Sequence, residues 1–268
     1  MKLKNNISII LLIIALLIGL SLLLYPTVSN HWNQSHQSHV IANYVQDIEN
    51  LNDNEYEEIL QSALQYNETL ASRKQKHVLS TDERNQYRQL LNVGTAGVMG
   101  YIEIPSIDCY LPIYHGADDS AMQVGIGHLE WTSLPVGGES SHCVLSGHRG
   151  LPSARLFTDL DKLKEKDTFN LYVLDEVLVY EVDRILIVEP EQTEELCIVD
   201  GEDYCTLVTC TPYGVNTHRL LIRGKRIDDK QDKRNIRVPA EAVLIEPKIV
   251  AAIIAVPMFL ALIVVTVI

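Results

Sequence analysis

Basic residues are scarce in this chain: 22 Lys and Arg stand against 35 Asp and Glu over 268 residues, a formal charge of -13. Nucleic-acid binding rests largely on phosphate neutralisation, so a chain this acidic is a poor candidate for it. With 14 Gly and 10 Pro, collagen-like and low-complexity architectures are excluded. HExxH, GxxxxGK followed by Ser or Thr, and GxSxG are all missing. The common zinc-peptidase, P-loop and serine-hydrolase signatures go with them. The five cysteines, Cys109, Cys143, Cys197, Cys205 and Cys210, include no CxxC pair, so neither a dithiol redox centre nor a zinc knuckle is indicated. An exported chain can form disulfides, but an odd count leaves at least one thiol free.

Charge is also missing from both ends. Ile7 to Leu24 is broken only by Ser8, Gly19 and Ser21, and the second run, Ile249 to Ile268, contains only Pro257 as a helix breaker. At ~1.5 Å per residue, each run is near the length of a membrane span. Cleavage of the first run as a signal peptide is the alternative, with Thr27 and Ser29 as weak processing residues. Lys2, Lys4 and the amino terminus favour the cytoplasmic side, which puts the chain from about Tyr25 to Lys248 outside. Setting Lys2 and Lys4 aside leaves 35 acids and 20 bases outside, a surface biased towards basic partners.

Two apolar stripes predict helix from Val40 to Leu70, with Asn54 and Glu57 as a capping box for the second helix. A shorter helix is expected from Asp82 to Leu91, capped by Ser80 with Glu83 at its third position. The polar stretch holding His31, His36 and His39 reads as a solvated linker, with weak metal binding as the alternative. After Gly94 the pattern changes to strands: 99–104, 110–114, 143–146, 169–174, 177–188, 205–210 and 219–223, with one helical insertion at 154–163. Many short strands without alternating long helices predict a mostly antiparallel sheet or barrel. The expected division is a membrane span at 1–25, a helical prelude at 26–93, a barrel at 94–226, a linker at 227–248 and a second span at 249–268.

Cys210 ends a strand-like run and precedes the rigid turn Thr211-Pro212-Tyr213-Gly214, where a thiol is held firmly yet can face a cleft. Cys205, five positions earlier, falls on the opposite sheet face and is the better choice for packing. A buried or disulfide-linked Cys210 is the alternative. His148 follows another apolar strand, between Gly147 and Gly150, and His128 has a similar local claim in Gly125-Ile126-Gly127-His128. Arg219 comes nine residues after Cys210, as a returning antiparallel strand requires; its guanidinium can stabilise an oxyanion or simply sit on the surface.

The ordered set of segments carries a resemblance. Thr206-Leu207-Val208-Thr209-Cys210-Thr211-Pro212-Tyr213-Gly214, then Asn216-Thr217-His218-Arg219-Leu220, resembles the active-site segment of sortases. Ser146-Gly147-His148-Arg149-Gly150 resembles the matching histidine segment. Gly127-His128-Leu129, Thr132 to Gly138, and Leu156-Phe157-Thr158-Asp159-Leu160 are similar to sequences of the pilin-polymerising class C group. The resemblance implies a closed eight-stranded β-barrel with N-terminal helices and two terminal transmembrane helices. It also implies a Gram-positive cell-membrane location with the catalytic part outside. It assigns Cys210 as nucleophile, His148 as imidazole partner and Arg219 as the oxyanion-stabilising cation. The implied partners are pilin subunits with an LPxTG-like sorting signal and an acceptor lysine, and membrane lipid around the terminal helices. No metal or organic cofactor is implied. Attachment of surface proteins to cell-wall precursor is the alternative, and a non-catalytic membrane scaffold a more distant one.

Relatives of this group often carry Asp-Pro-Trp or Asp-Pro-Phe in a lid over the cleft. Here no proline occurs between Pro26 and Pro105, and the corresponding region reads Val78-Leu79-Ser80-Thr81-Asp82-Glu83-Arg84. A comparatively accessible site is therefore expected.

Overall fold

The computed structural model describes residues 2–72, 79–94 and 97–227. The first apolar run and the polar stretch after it form one helix, α1 (Lys2–Glu49), which continues through Pro26. A proline inside a helix removes one hydrogen bond and costs about 3 kcal/mol. The downstream half is held regardless, because it is fastened to the barrel. Its inner face runs Asn30, Asn33, Gln37, Ile41, Tyr44 and Ile48, the three- and four-residue steps of one helix face. Ile41 and Tyr44 pack on Val98 and Tyr101. The Tyr44 hydroxyl donates to Met99 O at 3.1 Å and accepts from Leu174 N at 2.9 Å. His31, His36 and His39 thus belong to a helix and not to a linker. Among the described residues no group of three His, Cys, Asp or Glu is placed to hold a metal ion.

Upstream, the most apolar 18-residue stretch of α1 has a mean hydropathy of 2.8 and no buried residue; α1 is the one described helix long and apolar enough to cross a membrane. The second apolar run, 249–268, and the stretch 228–248 before it lie outside the described residues.

The break between the two helices expected over 40–70 falls at Asn50–Asn52. The cap of α2 (Asp53–Ala71) lies two residues before the predicted one, and the capping box is Asn52 with Glu55: Asn52 Oδ1 accepts from Asn54 N and Glu55 N. Asn54 already lies in the first turn and cannot serve. α3 (Thr81–Tyr87) has the expected box, Ser80 with Glu83. It stops short of Leu91, which adopts a left-handed backbone with φ 54°.

Eight strands close a barrel: β1 (Val98–Ile104), β2 (Cys109–His115), β3 (Ile126–His128), β4 (Ser141–Ser146), β5 (Thr168–Val173), β6 (Glu176–Val188), β7 (Asp203–Thr211) and β8 (His218–Arg226). Around the barrel their order is β1-β2-β3-β4-β7-β8-β6-β5. Pairs β2–β3 and β4–β7 are parallel and the others antiparallel, as the mostly antiparallel expectation held. Seven strands match the predicted ones to within three residues. The eighth, β3, was not predicted; it follows the short helix α4 (Asp119–Val124) and has only three residues. The helical insertion expected over 154–163 is instead turns and one 3-10 turn, Leu160–Lys162.

Alternation sends Ile102, Ile104, Phe169, Tyr180, Cys205 and Leu207 into a common interior. Phe169 and Tyr180 stack there at 5.6 Å between ring centres. Gly224 is required beside them, since a Cβ at that position would lie 2.6 Å from the Phe169 ring.

Candidate active site

The site is a matter of register on three neighbouring strands. β4 and β7 run parallel with Ser146 level with Val208. Two hydrogen bonds hold the end of β4 on β7: Gly147 N donates to Val208 O at 3.0 Å, and Thr209 Oγ1 donates to Gly147 O at 2.8 Å. Continued two residues past the Ser146–Val208 pair, the same register sets His148 beside Cys210. On the other side, the antiparallel pairing of β7 with β8 sets Cys210 opposite Arg219. Imidazole, thiol and guanidinium residues so form one row across the barrel wall. All three are half-buried.

Pleating separates this row from the interior. Cys205 is 0% exposed inside the barrel, while Cys210 is on the outer face with Val208. That outer face is apolar: Val144, Leu196, Val208 and Leu221 form a cluster, with Leu129, Trp131, Leu186 and Val188 packed against it. A peptide lying there would meet an apolar floor ending at the polar row.

The turn after β7 is tightened by Val215 N and Asn216 N, which both donate to Pro212 O. It also touches the histidine loop. Gly150 has φ 78°, and a Cβ there would come within 2.8 Å of the Tyr213 ring. Arg149 lies over that ring at 5.8 Å and pairs with Asp161. Arg219 folds back on its own turn, donating through Nη1 to Asn216 O (3.3 Å) and His218 O (3.1 Å). Its Nε and Nη2 have no protein partner among the described residues. Donors aimed at a developing negative charge are what acyl transfer through a thiol needs.

His128 does not join the row. It is 0% exposed and serves packing: Nε2 meets Ser133 O at 2.8 Å and Nδ1 meets the Tyr87 hydroxyl at 2.9 Å. Tyr87 and Arg84, which binds the Glu130 carboxylate, fix α3 to the β3–β4 connection. The tertiary hydrogen bonds of Arg84 and Tyr87 on α3 go to Glu130, His128 and Gly116. Val78, where a lid was sought in the sequence, lies outside the described residues. His142 is a second buried structural histidine, its Nδ1 2.9 Å from Cys197 O and its Nε2 2.7 Å from Thr206 Oγ1. Loss of solvent lowers its pKa to about 4.

All five cysteines are free, so no disulfide is used. Cys143 and Cys205 are level neighbours in the barrel interior, and burial, reinforced by Cys143, pushes the Cys205 thiol up. Burial likewise raises Cys109 to about 12. Sequence reasoning passed over Tyr87 as an anchor and over the amides Asn30 and Asn33 of α1. The signal available for the amides was their place on the helical spacing that continues to Ile41 and Tyr44.

A sortase domain matches residues 102–227, and the solved structures agree with it. Sortase C1 from Streptococcus agalactiae is 48% identical, with a TM-score of 0.70 over 71% of this chain and 99% of that one. This chain belongs to the sortase family. Within it, the sortase groups with class C. Streptococcus pneumoniae sortase C, whose structure is described in terms of catalysis and pilin substrate specificity, is 45% identical with a TM-score of 0.64, covering 71% and 97% of the two chains. Clostridium perfringens sortase C, solved with the C-terminal cell wall sorting motif, is 44% identical with a TM-score of 0.63, covering 71% and 99%. Curated sortases match at 25–30% identity over 40–66% of their own lengths.

Proposed function

We propose that this sortase is a pilin-polymerising cysteine transpeptidase, and that the level row His148–Cys210–Arg219 is its catalytic set. The row carries the reading, because it places a nucleophile between a proton carrier and a fixed positive charge. Cys210 Sγ attacks the Thr carbonyl of an LPxTG-like sorting signal, and Arg219 opposes the charge on the carbonyl oxygen. His148 protonates the departing Gly amine as the Thr–Gly bond breaks, leaving a thioester on Cys210. A lysine amine of another pilin subunit then attacks that thioester. His148 takes the proton from the amine, the Cys210 thiolate departs, and a Thr–Lys isopeptide bond remains. No step calls on a metal or organic cofactor.

The same reading makes 94–226 the catalytic unit, 26–93 its helical prelude and 227–248 a linker. The apolar segment of α1 and the run 249–268 are membrane spans, placing the barrel on the outer face of a Gram-positive cell membrane. The likeness to a sortase C described for pilin substrate specificity and to one solved with a sorting motif supports the choice of substrate. The test is to incubate the enzyme with candidate pilins and map covalent products by mass spectrometry. A Thr–Lys cross-link that disappears in Cys210→Ala is expected. Adducts only with water or a wall-precursor amine would overturn the polymerase reading, and an acyl adduct on a different cysteine would overturn the site.

A further inference from the structure

Two amides just above the apolar segment of α1 reach the loop that begins at His148. Asn30 Oδ1 accepts from Arg155 N at 2.9 Å, and Asn33 Nδ2 donates to Ser153 O at 2.7 Å. One helical turn separates the two side chains, and two residues separate their targets. Asn30 and Asn33 lie on the same face that continues into Ile41 and Tyr44, so this polar contact and the apolar docking are one interface. Polar residues are suited to this part of the face because the barrel presents loop backbone there, which needs partners.

The loop depends on them. It is closed at its mouth, where Phe157 N donates to His148 O at 3.1 Å, and Gly150 N is held by Thr158 Oγ1 at 3.1 Å. Between those points the backbone is irregular, with Leu156 at φ 37°. Ala154 and Leu156 bury their side chains. For the backbone of 151–155, however, the recorded hydrogen bonds among the described residues are those to Asn30 and Asn33, and Arg155 O accepting from Thr158 N. We infer that Asn30 and Asn33 are positioning residues for His148, making the juxtamembrane turns of α1 part of the active-site framework. This rests on the reading of Cys210 and His148 as the catalytic pair. The anchor helix then does more than tether: it sets the loop from which the imidazole faces the thiol.

The two contacts have opposite polarity, and that provides the test. In full-length enzyme held in detergent micelles, Asn30→Leu removes an acceptor and Asn30→Asp restores one. Asn33→Asp removes a donor and turns a carboxylate towards Ser153 O. The expected result is about tenfold slower acylation of Cys210 by a sorting peptide in Asn30→Leu and Asn33→Asp, with recovery in Asn30→Asp. The pH profile of Cys210 alkylation should move in the two slow variants, since it reports the imidazole beside the thiol. Gln37→Leu is the control for loosening the helix as such, because the Gln37 amide bonds Val124 O at 2.9 Å and makes no bond to the loop backbone. Equal rates in Asn30→Asp and Asn33→Asp, or equal slowing by Gln37→Leu, would overturn the inference. An unsubstituted enzyme that never acylates Cys210 would instead defeat the catalytic reading beneath it.

Discussion

Tyr87→Phe removes one oxygen from a fully enclosed contact between the helical prelude and the barrel. Tyr87 is 0% exposed, and its hydroxyl has two partners: His128 Nδ1 at 2.9 Å and Gly116 N at 3.0 Å. The directions are forced. His128 Nε2 faces the Ser133 carbonyl, so it carries the ring proton, Nδ1 is bare, and the hydroxyl donates to it while accepting from Gly116 N. Burial raises the phenol's pKa, so the proton stays on the oxygen at any working pH. Phenylalanine fills the same space, so no cavity opens. The loss comes from the two partners left behind, at about 1–3 kcal/mol for each buried group without a bond. His128 has no access to water, whereas Gly116 is only partly buried and can recover some of its share. A loss of about 2–4 kcal/mol follows, a large part of the ~5–15 kcal/mol that holds a domain folded. Urea unfolding followed by tryptophan fluorescence measures it, provided the slope is unchanged. Amide exchange at Gly116 supplies a local readout and should accelerate. A loss below about 0.5 kcal/mol, with Gly116 exchange unaltered, would refute the reasoning, because it lies within the range of an indifferent substitution.

His142→Gln should flatten the acid side of the stability profile. The ring's folded pKa of about 4 lies below its ordinary 6.5, so its stabilising contribution is complete above 6.5, falls as the pH drops and levels off below 4. The whole step is about 3 kcal/mol, readable from urea midpoints between pH 7 and 4; an unchanged slope in the variant would count against it. Cys210 should alkylate readily in a Cys197→Ser background, which removes the other accessible thiol. Replacing 73–91 with a Gly/Ser linker should change the labelling rate by less than about threefold. A much larger rise, with the barrel still folded by circular dichroism, would show that the prelude covers the thiol.

The barrel was legible where side chains follow the two-residue period. Phe169, Leu171 and Val173 announce β5, and the alternation that separates Cys205 from Cys210 distinguished the interior thiol from the outer one. β3 gave no such signal: Ile126–His128 is too short for a pattern, and parallel pairing with β2 defines it. The 154–163 segment has helical composition, yet its backbone is held by α1 and by His148, contacts distant in sequence. The helical course of 26–39 was hidden for a related reason. Pro26 and a polar composition argue for a linker locally, whereas the stripe from Asn30 to Tyr44 finds its complement only once the barrel exists. The row itself required register. Sequence proposed His148, Cys210 and Arg219 separately, and the pairing of β7 with β4 and β8 is what relates their positions.

The unbroken course of α1 has a consequence for reach. Asn30 and Asn33 stand six and nine residues beyond Leu24, the end of the apolar run. At ~1.5 Å per residue, these contacts with the histidine loop lie about 9–14 Å along the helix from the end of the apolar run, and less in height if the helix tilts. An extended peptide covers ~3.3 Å per residue, so a substrate chain held in the same bilayer needs a spacer of only about three to five residues to come to that height. A spacer much longer than this gains no access and dilutes the signal over a wider volume. On the proposed reading of the apolar segment as a membrane span, the enzyme and a membrane-held substrate would meet by moving in the plane of the bilayer, at a height set by helix length.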